Sequence, residues 1–359
     1  MPVRTIPPTE PKGANPPRGR VRSRRIDAAI ALTLFGIVAA AILWGQYGKT
    51  RDYHGSQADN YYKEKEYGRA IEEYTKAIRS DPKCTLAYAN RASAYFNNGD
   101  FERAIDDCNK ALEIDPQLAL AYCNRGGAYL NRDDPDRALA DCTRAIELDA
   151  KMPLAYANRG GAYLKKGDFE RAIAECSQAL ALDANLGNAY FTRAAAFQSK
   201  GNLGRSIRDW DQVLRLNPDL ASAYLNRAAA HFKRGAIRQA IEDYDEAIRR
   251  DPNFADAYVS RGVLRVRLND PESARSDFSR AIELNPKLAL AYNYRGALAL
   301  SMGDNKQVIA DCTRAVELDP HLAVAYWSRA LAHSNNGDLK QARADQNKAL
   351  ELDPTLGQP

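Results

Sequence analysis

Four histidines and six cysteines are scattered along 359 residues, and neither set clusters at the spacing of a metal site. That argues against a zinc or redox centre. Valine and isoleucine show no surplus of the kind a sheet needs, so the chain reads as helical. No glycine-rich phosphate loop or other cofactor motif appears, and no unique polar constellation suggests an active site, so the expected protein is not an enzyme and takes no cofactor or metal. The formal charge of +5 is misleading until it is divided. Residues 1–51 hold nine Lys and Arg against Glu10 and Asp27, a local +7, which leaves the remaining 308 residues at −2. A near-neutral body has no footprint for phosphates, and nucleic acid is set aside as a partner.

What is present begins with a basic arm. Residues 1–25 are crowded with proline and with basic side chains, among them Arg18, Arg20, Arg22, Arg24 and Arg25, and are expected to form a disordered tail. Residues 26–48 are expected to form a transmembrane helix or signal anchor, because Ala28 to Gly48 contains no charge over 21 residues. A helix of that length spans the hydrocarbon layer of ~30 Å, with Trp44 and Tyr47 placed as an interfacial belt. The arginines before the span put the N-terminus in the cytoplasm and the rest on the opposite side, periplasmic if the source is bacterial. The alternative is a cleaved signal peptide and an exported soluble protein, since Ala39, Ala40 and Ala41 resemble a small-residue cleavage site.

From Arg51 onward the sequence repeats every 34 residues without insertion or deletion. The nine units are 51–84, 85–118, 119–152, 153–186, 187–220, 221–254, 255–288, 289–322 and 323–356, with a tail at 357–359. The fourth position is tyrosine in eight units, as at Tyr88, Tyr156 and Tyr326, with His54 the exception. The eighth is always small, and the twentieth is alanine in seven units. Residues three and four apart share a helical face, so each unit reads as two antiparallel helices packed through small side chains. Glycine at Gly99, Gly167, Gly201, Gly235, Gly303 and Gly337 marks the turn between them, with Asp133 and Asn269 in two more units and Lys65 breaking the rule. Asp100, Asp168 and Asp338 stand next as helix N-caps. The second helix is expected to stop at Asp-Pro or Asn-Pro, although Ala150 and Ala184 replace the proline.

With these positions in view, the chain resembles the tetratricopeptide repeat family over residues 51–356. The resemblance implies an all-α, right-handed superhelical solenoid whose first helices line a concave groove for partner proteins. By that resemblance the groove residues are Leu86, Asn90, Phe96, Leu120, Asn124, Leu130, Leu154, Asn158, Leu164, Phe191, Leu225, Asn226, Phe232, Val259 and Trp327. Val266 stands beside them. Their composition favours extended or helical segments with apolar side chains. The lysines with which chaperone-binding members clamp a C-terminal carboxylate are missing.

Two further patterns are structural in this reading. Arginine at the seventh position (Arg91 through Arg329) recurs with an acid at the twenty-third (Asp107 through Asp345), which predicts a ladder of bidentate ion pairs between helices. Cys108, Cys142, Cys176 and Cys312 occupy a core position, too far apart in neighbouring hairpins for disulfides. The eleventh position drifts from Tyr61, Tyr95, Tyr129 and Tyr163 to Phe197, His231, Arg265, Ala299 and His333. Arg343 and Gln346 make the last helix polar, as the closing unit of a stack requires. The expected function is a membrane-anchored protein-interaction scaffold, with a self-associating assembly factor of an envelope complex as the alternative.

Overall fold

The computed structural model describes residues 49–357, which contain helices and no strand. The expected tail at 1–25 and span at 28–48 lie outside the described residues. Among the described residues no helix is long and apolar enough to cross a membrane.

Two compact units are present, one running to Asn124 and the other from Arg125. The first holds α1, helical over 49–63, with α2 (Tyr67–Ser80), α3 (Thr85–Asn97), α4 (Phe101–Ile114) and the start of α5 (Ala119–Asn131). The second holds the rest of α5 and then α6 (Pro135–Leu148), α7 (Pro153–Lys165), α8 (Phe169–Leu182), α9 (Gly187–Ser199) and α10 (Leu203–Leu216). It continues through α11 (Ala221–Lys233), α12 (Ile237–Arg250), α13 (Ala255–Arg267), α14 (Pro271–Leu284), α15 (Ala289–Ser301), α16 (Asn305–Leu318), α17 (Ala323–Asn335) and α18 (Leu339–Leu352). A 3-10 turn at Pro354–Gly357 follows. Odd and even helices alternate as the two arms of hairpins, in the register read from the sequence.

Local chemistry explains the punctuation. All nine turn residues adopt positive φ: the six glycines lie between 74° and 84°, and Lys65, Asp133 and Asn269 lie at 62°, 61° and 60°. Lys65 therefore takes the same left-handed backbone without the residue suited to it. Replacing Lys65 with glycine is expected to raise stability by about 1 kcal/mol, because the strain of a left-handed lysine exceeds the extra freedom glycine gains on unfolding. A urea midpoint that falls in the variant would contradict this.

The next residue caps the second helix as expected, with Asp100, Asp134, Asp168, Asp270, Asp304 and Asp338 each accepting from the backbone N–H three residues on. Helix ends depend less on proline than the sequence suggests. Asp149 and Asp183, followed by Ala150 and Ala184, accept the backbone N–H of Lys151 and Asn185 at 2.9 Å in each case. Asp81 and Asp115, followed by proline, make the same bond. The acidic side chain closes the turn, and proline is an accessory.

The core of each hairpin sits where small residues let helices approach. A Cβ on Gly126 would lie 2.7 Å from the Cys142 sulfur, and one on Gly160 would lie 2.6 Å from that of Cys176. On Gly262 it would lie 2.6 Å from the Phe278 ring, so glycine is what allows a full aromatic at this level.

Candidate protein-interaction surface

Arginine rungs set the geometry of the first helices. Arg91 donates through Nε and Nη2 to both oxygens of Asp107 at 2.7 Å. The same two-pronged bond joins Arg193 to Asp209 at 2.8 and 2.9 Å, Arg295 to Asp311 at 2.9 and 2.8 Å, and Arg329 to Asp345 at 2.7 Å. Arg125, Arg159, Arg227 and Arg261 pair likewise with Asp141, Glu175, Asp243 and Asp277, so the expected ladder is complete from the second hairpin to the ninth. The hydrogen bonds they donate to the acid hold the guanidinium pKa of Arg193, Arg295 and Arg329 above its ordinary value, against the opposing pull of burial.

Sequence reasoning missed the third prong. Nη1 reaches back to the second helix of the preceding hairpin: Arg91 to Thr75 at 2.9 Å, Arg193 to Ser177 at 3.1 Å, Arg261 to Asp245 at 2.6 Å and Arg329 to Thr313 at 3.1 Å. The signal was available, since an oxygen-bearing side chain recurs sixteen residues before each of these arginines. Each guanidinium also faces the tyrosine three positions earlier, as Arg193 does Tyr190 at 5.6 Å. In the first hairpin, where Gln57 replaces the arginine, His54 Nδ1 meets Glu73 at 2.6 Å instead.

The anticipated groove residues divide by what they touch. In the first unit Leu86 is 54% exposed, whereas Asn124 bonds the carbonyl of Ala89 at 3.0 Å and the hydroxyl of Ser93 at 2.7 Å. Phe96 meets Phe101 edge to face, Asn90 borders a void shared with Asp59, Tyr62 and Tyr74, and Leu120 is half-buried.

In the second unit Leu154 is 37% exposed, while Leu164 and Asn158 are half-buried. Leu130 packs so closely on Gly161 that a Cβ there would come within 2.7 Å of its Cδ2. Phe191 stands edge-on to Trp210 at 4.7 Å, Leu225 and Phe232 pack against Ala228, Tyr244 and Leu264, and Val259 is buried beside Phe278. Asn226 bonds the Ser222 carbonyl at 2.8 Å, and Trp327 lines a hollow with Leu331 and Leu339. Arg343 and Gln346, expected to be polar, border the same hollow and are exposed.

Three exposed residues of the first helices were not singled out from the sequence: Leu290 at 44%, Val324 at 41% and Leu331 at 41%. The register would have found them, since Leu290 and Val324 hold the same position in their units as Leu86 and Leu154.

None of the six cysteines is in a disulfide, and Cys108, Cys123, Cys142, Cys176 and Cys312 are buried. Burial pushes the thiols of Cys123, Cys176 and Cys312 up to about 12. Iodoacetamide at pH 8 on the native protein is expected to modify Cys84 alone, and all six after denaturation. Mass spectrometry showing early labelling of Cys176 would refute the packing described. No group of His, Cys, Asp and Glu among the described residues could hold a metal.

The repeating hairpin, its small-residue core and its arginine rungs define an all-α helical-repeat protein. Protein-family models for the tetratricopeptide repeat match residues 52–84, 85–118, 119–152, 153–186, 196–235, 221–254, 259–323 and 323–356. The chain belongs to the tetratricopeptide repeat family, and membership supports a protein-interaction scaffold.

Among solved structures it resembles the anaphase-promoting complex hetero-tetramer Cut9-Hcn1, with a TM-score of 0.58 and 16% identity over 85% of this chain and 73% of that one. It also resembles pilF of Pseudomonas aeruginosa, with a TM-score of 0.51 and 21% identity over 59% of this chain and 96% of the other. A tetratricopeptide repeat protein from Parabacteroides merdae gives a TM-score of 0.49 and 19% identity, over 66% of this chain and 94% of that one. These likenesses are of fold. No curated protein sequence matches the chain.

Proposed function

We propose that the repeats form a scaffold that holds partner proteins at a membrane, with residues 28–48 as the anchor and the first-helix surface as the place where partner segments bind. One observation carries the reading: Leu154, Leu290, Val324 and Leu331 stand exposed on first helices of the second unit, and Leu86 on one of the first. Apolar side chains repeated at a fixed position, the second of the unit at Leu86, Leu154, Leu290 and Val324, suit an extended or helical segment that buries apolar side chains of its own. Small neighbours such as Ala195 and Ala229 leave room for them. Asn90 supplies an amide group to a peptide backbone, whereas Asn124 and Asn226 are committed within the chain.

The test uses the full chain. Membranes from a source strain are solubilised and captured on wild type and on a Leu154→Ser, Leu290→Ser, Val324→Ser triple variant, with a photo-crosslinker at position 331 to identify what lies against the surface. Crosslinked partners are expected on the wild type and lost on a variant of unchanged melting temperature. Equal capture by both would refute the surface assignment. Fractionation of the chain with and without residues 1–48 tests the anchor separately. Light scattering decides between this reading and a self-associating assembly factor, which would give an oligomer.

A further inference from the structure

The eleventh position of each unit supplies the comparison, because the chain contains its own controls. In the second hairpin the Tyr95 ring lies 5.8 Å from the guanidinium of Arg91 and 5.7 Å from that of Arg103. In the third and fourth, Arg137 and Arg171 sit 4.4 Å over Tyr129 and Tyr163, and in the fifth Arg205 faces Phe197 at 5.6 Å. An aromatic ring occupies the same place between the two helices each time.

The sixth and seventh hairpins fill it otherwise. His231 is buried with Nε2 at 3.8 Å from Asp243, and Arg265 donates to Asp277 at 2.8 Å. In the eighth hairpin Ala299 neither fills the space nor bonds across it. A cavity of about 170 Å³ opens there, lined by Arg275, Arg295, Leu298, Ala299, Met302 and Gln307 among others. Arg295 and Gln307 hold the positions that Arg91 and Arg103 hold around Tyr95.

We propose that this cavity is a binding site for an aromatic ring of phenol size, which takes the place that Tyr95, Tyr129, Tyr163 and Phe197 take in the earlier hairpins. The size fits: an engineered apolar cavity of about 150 Å³ in another protein holds benzene. The lining fits as well, with Leu298, Ala299 and Met302 for the ring and the Arg295 guanidinium beside it, as the Arg91 guanidinium is beside the ring of Tyr95. The ring comes either as a free phenolic molecule or as the tyrosine side chain of a partner. This site is separate from the exposed row of the first helices and stands or falls without it.

Methionine provides the reporter, since Met302 lines the cavity and the chain has only two others, Met1 and Met152. The full chain, labelled at the methionine methyl carbon, is titrated with p-cresol and, separately, with N-acetyltyrosinamide. The Met302 resonance, assigned through Met302→Leu, is expected to shift saturably while that of Met152 stays put. A response to p-cresol alone assigns a free ring, and a response to both assigns a tyrosine side chain. Ala299→Tyr supplies the ring from within the chain and is expected to abolish the shift and raise the melting temperature. Ala299→Leu, which adds less bulk, is expected to weaken binding and serves if the tyrosine variant does not fold. No saturable shift, an equal shift with cyclohexanol, or full binding by the folded Ala299→Tyr variant would each overturn the proposal.

Discussion

Asp277→Ala is expected to lower the unfolding free energy of its neighbourhood by about 3–5 kcal/mol, the largest loss any single rung of the ladder should give. Asp277 is buried and receives three charged donors: Arg261 Nε at 3.0 Å, Arg261 Nη2 at 2.7 Å and Arg265 Nη1 at 2.8 Å. Truncation removes the carboxylate and leaves two guanidinium groups side by side in a partly dry site, where each repels the other. Arg261 keeps Asp245, and Arg265 keeps only a long contact to the Ser273 carbonyl. Arg159→Ala should cost less, because Glu175 is more open to water than Asp277 and can be rehydrated. Hydrogen exchange is the right measurement, since hairpins in a linear array unfold locally. Protection should fall over α13 and α14 and persist elsewhere in the second unit. A loss below about 1 kcal/mol would mean that the rung is solvated and contributes as a surface pair does.

Trp210→Ala is the other large effect, again about 3–5 kcal/mol, for an unrelated reason. Trp210 is fully buried among Ala194, Val213, Leu214 and Ala223, with its ring edge-on to Phe191 at 4.7 Å. Its Nε1 donates to Gln198 at 3.3 Å. Removing the indole empties the largest side chain of the core, and the surrounding alanines are too short to collapse into the gap. Trp210→Phe should recover most of the loss. A near-neutral Trp210→Ala variant, judged by the urea midpoint and its slope, would mean that the ring is not packed as described.

Phe191 shows why the fold was more legible than the site. Hairpin boundaries follow from residues whose effect is local: a left-handed turn residue, a capping aspartate, and the asparagine or aspartate that closes the second helix. Such signals act within three or four positions, so an all-α repeat of paired helices could be read from them, as the described residues show. The family resemblance places Phe191 and Leu86 on one surface, yet Phe191 leans on Trp210 and Leu86 faces water. What separates them is the position each holds: the fifth of a unit, that of Phe191, is covered in other units too, as at Ala89, Cys123, Ala157 and Val259, whereas the second, that of Leu86, is left open at Leu154, Leu290 and Val324. The backward prong of the arginines is missed because its acceptor lies across a unit boundary, sixteen residues earlier, where a comparison made within one unit does not look. The aligned units gave the pairing of Arg193 with Asp209, while Ser177 belongs to the hairpin before.

That backward reach gives the array a direction in time. Synthesis delivers hairpins from the N-terminal side first. In the second hairpin and in the fourth to the ninth, a newly made hairpin brings its own guanidinium and finds its third acceptor already in place on the one folded before it. Each of these hairpins therefore has the acceptor for its latch on its predecessor and none on its successor.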